Sequence, residues 1–117
     1  MSPELELVRQ GLERARGDLR SAELVLRGEP PVCESVCFFC QQVVEKALKA
    51  FLVHRRVDFE WTHLIAYLLD LCAGHDGSFE QWRDSASPLS EYAVRLRYPY
   101  RGPAPTPQQA RRALDVA

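Results

Sequence analysis

The chain has 117 residues, of which 46% are hydrophobic and 26% charged, and its formal net charge is −1. This length allows one hydrophobic core and is too short for two, and the composition is that of an ordinary globular protein. No run of about 18 uncharged apolar residues is present, and the acidic start lacks the basic and apolar regions of a signal peptide. We therefore expect a cytoplasmic protein whose four cysteines stay reduced.

The charge is unevenly distributed along the chain. Residues 1–94 carry ten basic and fifteen acidic side chains, whereas residues 95–117 carry five arginines and the single acid Asp115. A basic end on an acidic body indicates an anionic partner, or the acidic surface of a second copy. Chance clustering of solvated arginines is the alternative.

Three helix starts share one pattern, in which a hydroxyl residue precedes proline: Ser2, Ser87 and Thr106. The hydroxyl can cap the helix, and proline at the first helical position has no amide hydrogen to leave unpaired. Apolar residues then recur at alternating intervals of three and four positions, which predicts a first helix of about 24 residues with one apolar stripe. The stripe consists of Leu5, Val8, Leu12, Ala15, Leu19, Ala22 and Leu26.

The second predicted helix runs from about Val32 to Arg56. At about 100° per residue, its apolar side chains fill one broad arc, and its polar side chains lie opposite them. Apolar residues that interrupt the polar face predict burial against a second subunit; they are Phe38, Leu52 and Val53. The interface candidates are Phe38, Gln41, Gln42, Glu45, Lys49 and Leu52.

The remaining pattern is also helical. Thr62 is expected to cap a third helix over residues 63–73, followed by a turn, a short helix at 79–86 and a fourth long element at 88–97. Prolines exclude a helix over 98–105, and a short helix follows Pro107. We predict an all-α fold, an antiparallel up-and-down four-helix bundle with a short extra C-terminal helix.

The four cysteines are candidate metal ligands. Cys33, Cys37 and Cys40 could hold a metal at this spacing, with Cys72 from another helix. Because they share the apolar arc, we interpret them as core residues and expect no metal and no cofactor. The pair Glu45 and Lys49 has the spacing of a helix-stabilising salt bridge, which we favour over general acid–base catalysis.

The segment RLRYPYRGP, residues 95–103, mixes arginine with tyrosine. Guanidinium groups bind phosphate through paired hydrogen bonds, and tyrosine rings stack on bases. The candidate residues for binding a nucleotide or RNA are Arg95, Arg97, Tyr98, Tyr100 and Arg101. The alternative is that the tyrosines cover the end of the bundle while the arginines remain in solvent.

Several segments, in order, resemble a HEPN domain: ARGDLRSAELVL at 15–26, CFFCQQVVEKALKAFL at 37–52, THLIAYLLDLC at 62–72, and LRYPY at 96–100 followed by TPQQARRAL. The resemblance implies one helical domain over residues 1–117 that forms a homodimer. It also implies a minimal nucleotidyltransferase as partner, as in toxin–antitoxin modules. Other members of the family are metal-independent ribonucleases.

The ribonuclease members carry R-x4–6-H near the start of a late helix, and this sequence departs from that motif. No histidine follows Arg95, because the last is His75. Arg56 and His63 have the right spacing in a different element, which we interpret as coincidence. We therefore expect a binding module with no enzymatic activity. The alternative is a ribonuclease toxin with a divergent site that uses Arg97, Tyr98 and His63.

Overall fold

A computed structural model describes residues 2–95 and 103–117. The described residues form helices and connecting segments, without a strand, so the all-α prediction is confirmed. The α-helices are α1 (Pro3–Leu26), α2 (Cys33–His54), α3 (Ile65–His75), α4 (Arg83–Ala86), α5 (Glu91–Arg95) and α6 (Pro107–Val116). Two 3-10 segments, Gly77–Trp82 and Ser87–Ser90, flank α4.

Helix α1 starts where the sequence pattern predicts, because Ser2 Oγ accepts a hydrogen bond from the Leu5 amide at 3.1 Å. It runs antiparallel to α2, since Glu4 pairs with Arg56 just beyond the end of α2, while Asp18 pairs with Lys46 nearer its middle. The predicted stripe faces α2 in part. Ala15 and Ala22 are buried, whereas Leu5 and Leu12 remain 46% and 45% exposed.

Helix α2 lies at the centre of the fold and packs against α1, α3, α5 and α6. Between Cys33 and Val53, a span that the structure describes throughout, every residue is buried or half-buried. The helix therefore contacts neighbours on more than the single apolar arc that its pattern predicts. The core around it includes Val36, Leu52, Ile65 and Leu68, each fully buried.

The end of α2 is set by a Schellman motif. The amides of Arg56 and Val57 donate to the carbonyls of Val53 and Leu52, and Arg56 has a φ of 58°, the left-handed conformation that this motif requires. The turn directs the following loop back along α2. Helix α3 then starts at Ile65, two residues later than the predicted start at His63, and the Ile65 amide donates to Ser90 Oγ at 2.8 Å.

The prediction that Ser87 caps a long fourth helix is wrong. Ser87 lies inside continuous helical backbone, where α4 passes into the 3-10 segment Ser87–Ser90 and then into α5. Pro88 interrupts this path because it has no amide hydrogen to donate. Arg97, the predicted end of this element, lies outside the described residues.

Helix α6 confirms the third start signal. Thr106 Oγ accepts from the Gln109 amide at 3.1 Å, and the Gln109 side chain accepts from the Thr106 amide at 2.9 Å, which is a complete capping box. Ala110 and Ala113 of this helix are buried in the core.

Across the described part of the chain, no helix combines the length and the apolar character needed to cross a membrane.

Candidate functional site

A buried carboxylate on α2 organises the largest polar cluster of side chains that we identify. The Glu45 side chain is 6% exposed. Its Oε1 accepts from Gln41 Nε2 at 2.9 Å and from His63 Nδ1 at 2.7 Å, while its Oε2 accepts from Lys49 Nζ at 3.1 Å. A buried charge is tolerated only when it is paired and hydrogen-bonded, and three donors meet that requirement here.

Local sequence brings three of these residues together. Gln41, Glu45 and Lys49 are spaced four apart, so their side chains lie in a row along one edge of α2. The salt bridge predicted between Glu45 and Lys49 is confirmed. His63 joins them only because the loop that follows Arg56 returns along the helix, and its backbone carbonyl also accepts from Gln41 Nε2 at 3.5 Å.

Trp61 forms the outer edge of this cluster. Lys49 Nζ lies 4.3 Å from the centre of the indole ring, a cation–π distance, and the His63 ring meets the same indole edge-on at 6.5 Å. Lys49 is thereby held between a carboxylate and an aromatic ring, and its side chain is 13% exposed. Trp61 itself is 84% exposed, so most of the indole faces solvent.

The electrostatics of the cluster favour an ionised Glu45. Burial by itself raises the pKa of this carboxyl, but the hydrogen bonds from Gln41, His63 and Lys49, with the Lys49 charge, lower the pKa below its ordinary value. Gln42 extends the cluster, because its Nε2 donates to Gln41 Oε1 at 2.7 Å. The result is a neutral ion pair that is hydrogen-bonded on several sides.

The residues predicted to face a second subunit separate into two groups. Phe38, Gln42, Lys49 and Val53 are half-buried and lie along the side of α2 that remains partly open. Gln41 and Leu52 are fully buried within the protomer, and Glu45 is 5% exposed. These three cannot offer surface to a partner, because α3, the loop before it and the rest of the core already cover them.

The arginine and tyrosine candidates fall at the edge of the described chain or beyond it. Arg95 is the last residue of α5. Arg97, Tyr98, Tyr100 and Arg101 lie outside the described residues. Of the three weaker catalytic candidates, only His63 is therefore placed. Arg56, which has R-x6-H spacing with His63, pairs instead with Glu4 at 2.9 Å, so the two residues belong to different contacts.

The cysteines pack as the apolar arc predicts. Cys37, Cys40 and Cys72 are fully buried, and the Cys72 thiol donates to the Leu48 carbonyl at 3.7 Å. Burial raises the pKa of Cys40 to about 12, with a contribution from Cys37, and raises that of Cys72 to about 11. Such thiols stay protonated and serve as small core side chains.

The described residues contain no group of three or more histidine, cysteine, aspartate or glutamate side chains that could hold a metal ion.

Trp61 belongs to the cluster around Glu45 and Lys49, but the sequence pattern does not identify it as a site residue. It stands at the end of a segment without apolar periodicity, so neither a helical nor a strand template assigns it a face. Its proximity to Lys49 depends on the path of the loop after Arg56. An aromatic residue just before Thr62 and His63 is a local feature that could have drawn attention to it.

Comparison with known proteins gives one match. The family model described as HEPN domain matches residues 8–117 of this chain. Searches of curated proteins and of solved structures return no match.

Proposed function

The chain belongs to the HEPN domain family, and on that premise we propose that it is a dimeric binding module that acts with a minimal nucleotidyltransferase. The proposal treats residues 1–117 as one HEPN-like domain, arranged as an up-and-down four-helix bundle. The sequence supports a role without catalysis, because no histidine follows Arg95 and the R-x4–6-H motif of the ribonuclease members is therefore missing.

One observation carries the interface: Trp61 is held against Lys49 and yet is 84% exposed. Tryptophan is enriched among residues that dominate binding energy in protein interfaces. The half-buried residues Phe38 and Val53 lie on the same side of α2 as Lys49 by helical spacing, and Leu64 in the loop that carries Trp61 is 61% exposed. We define the surface of Phe38, Gln42, Lys49, Val53, Trp61 and Leu64 as the α2 face and propose that a second copy binds it.

The oligomeric state tests this surface. The wild-type protein should elute with twice the 13.4 kDa chain mass in size-exclusion chromatography with light scattering. Truncation of a central tryptophan costs about 2 kcal/mol or more, so Trp61→Ala should weaken the dimer about thirtyfold. Leu7→Ala removes another exposed apolar side chain, 59% exposed on α1, and should leave the dimer intact. If Trp61→Ala and Leu7→Ala dissociate to the same extent, the α2 face is not the dimer interface.

The nucleotidyltransferase partner and a toxin–antitoxin role rest on family membership, and co-purification tests them. The product of the adjacent reading frame, produced together with a tagged copy of this chain, should remain bound through size-exclusion chromatography. Failure of a well-folded dimer to retain that protein would reject this partner while leaving the dimer proposal standing.

For the segment over 95–101, we propose that Arg95, Arg97, Tyr98, Tyr100 and Arg101 contact the phosphates and bases of a bound nucleotide or RNA. The support is chemical: cationic and aromatic side chains alternate there, in the one strongly basic part of the chain. Replacement of Arg97 and Arg101 by alanine should weaken nucleotide or RNA binding and lower its salt dependence. Arg111→Ala with Arg112→Ala is the control of equal charge.

A second candidate function, RNA cleavage, is favoured by the contact between Glu45 and His63. A carboxylate on Nδ1 fixes the orientation of the ring and leaves Nε2 as the nitrogen available for proton transfer. Wild-type protein would then cleave RNA without added metal, and His63→Gln would abolish cleavage. Intact RNA after prolonged incubation with pure wild-type protein would reject this function.

A further inference from the structure

A cavity of about 150 Å³ lies away from the α2 face, where α2, α3, α4, the 3-10 segment Gly77–Trp82 and the end of α6 meet. Its described lining consists of alanine, valine, leucine, phenylalanine and tryptophan residues. Among their side chains, the indole nitrogen of Trp82 is the sole polar atom. The residues of the α2 face are absent from this described lining.

The walls of the cavity are well supported. The Phe79 ring packs on Phe51 with ring centres 4.6 Å apart, so one aromatic wall is held from behind. Ala86 is 2% exposed and forms part of the inner surface, whereas Trp82 is 44% exposed and lies at the mouth. The cavity is therefore a concave pocket that opens to solvent past an indole ring.

The size and chemistry of this pocket restrict its occupant. Ordered water needs two to four polar partners, and an apolar cavity of about 150 Å³ is large enough for benzene. A charged ligand would gain no counter-charge from the described side chains of this lining.

We propose that this pocket binds a small uncharged molecule built on one aromatic or similarly sized apolar ring. The ring would lie between Phe79 and Trp82, with Ala47, Ala86 and Val116 around its edge. Aromatic rings in such pairs prefer offset or edge-to-face packing, which an open pocket with two aromatic walls can provide. This proposal goes beyond the proposed function, because the described lining of the pocket contains no residue of the α2 face.

Toluene and benzoate form a matched pair of probes, since they have similar shapes and only benzoate is charged. In a Trp61→Phe variant, Trp82 is the remaining tryptophan and reports directly from the mouth of the pocket. Toluene should shift its emission to shorter wavelength and raise Tm by several degrees once its concentration exceeds Kd about tenfold. Benzoate should change neither the emission wavelength of Trp82 nor Tm.

Substitutions that fill the pocket complete the test. In the same background, Ala47→Leu should abolish both responses to toluene, and Ala66→Leu on the exposed side of α3 should preserve them. Val116→Phe at the end of α6 serves as a second filling variant if Ala47→Leu does not fold. The absence of a toluene response, an equal response to benzoate, or an unchanged response in the filled variants would overturn the proposal.

Discussion

His63 Nδ1 lies 2.7 Å from Glu45 Oε1, across 18 residues of chain, and this contact joins the middle of α2 to the loop before α3. It completes the set of donors around a carboxylate that the protein has taken out of water. The same loop places Trp61 beside Lys49, so the ion pair of Glu45 and Lys49 connects the buried carboxylate to an exposed aromatic side chain.

In the Glu45→Gln variant, the free energy of unfolding should fall less than that of the wild type as the pH is lowered. The native pKa of Glu45 lies below its ordinary value of 4.5, so ionised Glu45 contributes stability that is fully present above pH 4.5 and is lost as pH falls through the native pKa. Urea unfolding from pH 7 down to pH 3 measures this. The difference in free energy of unfolding between wild type and Glu45→Gln should shrink as pH falls, and a constant difference would contradict the argument.

Lys49→Met should destabilise the protein more than Lys46→Met. Lys49 neutralises the buried Glu45, and its loss should cost about 2 kcal/mol, below the range for fully buried pairs because Gln41 and His63 remain. Lys46 pairs with Asp18 at 2.5 Å, but its side chain is 30% exposed, and we expect a loss of about 0.5 kcal/mol. Chemical denaturation compares the two, and equal losses would show that burial of Glu45 does not matter.

Arg56→Gly should stabilise the protein despite removing an ion pair. Arg56 has a φ of 58°, a conformation that costs a residue with a Cβ about 1 kcal/mol relative to glycine. The Arg56 and Glu4 side chains are 77% and 49% exposed, so their pair contributes about 0.5 kcal/mol or less. Thermal unfolding should show a higher Tm for Arg56→Gly, and Glu4→Gln reports the ion pair separately. A lower Tm for Arg56→Gly would show that the ion pair with Glu4 stabilises the protein by more than the positive φ of Arg56 destabilises it.

Ser90→Ala should destabilise the start of α3. Ser90 Oγ accepts from the Ile65 amide at 2.8 Å, and loss of a hydrogen bond of this kind costs about 1 kcal/mol. Ser85→Ala is a matched control, because Ser85 Oγ donates to the Trp82 carbonyl at 3.3 Å in an exposed position, where the loss should be below about 0.5 kcal/mol. Hydrogen exchange at the Ile65 amide should accelerate in Ser90→Ala and not in Ser85→Ala.

Elements governed by neighbouring residues were predictable from sequence. The caps at Ser2 and Thr106 follow from local hydroxyl chemistry, and the row of Gln41, Glu45 and Lys49 follows from helical spacing. Ser87 has the same local pattern, yet it lies within a chain of short helical segments that the core dictates. The start of α3 depends on Ser90, which is 25 residues away from Ile65.

The candidate site was predictable only in part. A helical pattern shows that Gln41 and Glu45 share a face, but it does not show that a returning loop covers that face. Leu52 was assigned to an interface for the same reason, and the protomer's own core buries it. Trp61 reaches Lys49, and His63 reaches Glu45, through the turn at Arg56, which requires a positive φ from a residue that is not glycine.

The α2 face is the proposed contact between two copies of the chain. Sedimentation equilibrium of wild type, Trp61→Ala and Leu7→Ala tests it most directly. We expect a dimer for wild type and for Leu7→Ala, with a dissociation constant about thirtyfold higher for Trp61→Ala. A wild-type protein that remains monomeric at high concentration, or a Trp61→Ala dimer as tight as wild type, would contradict the account.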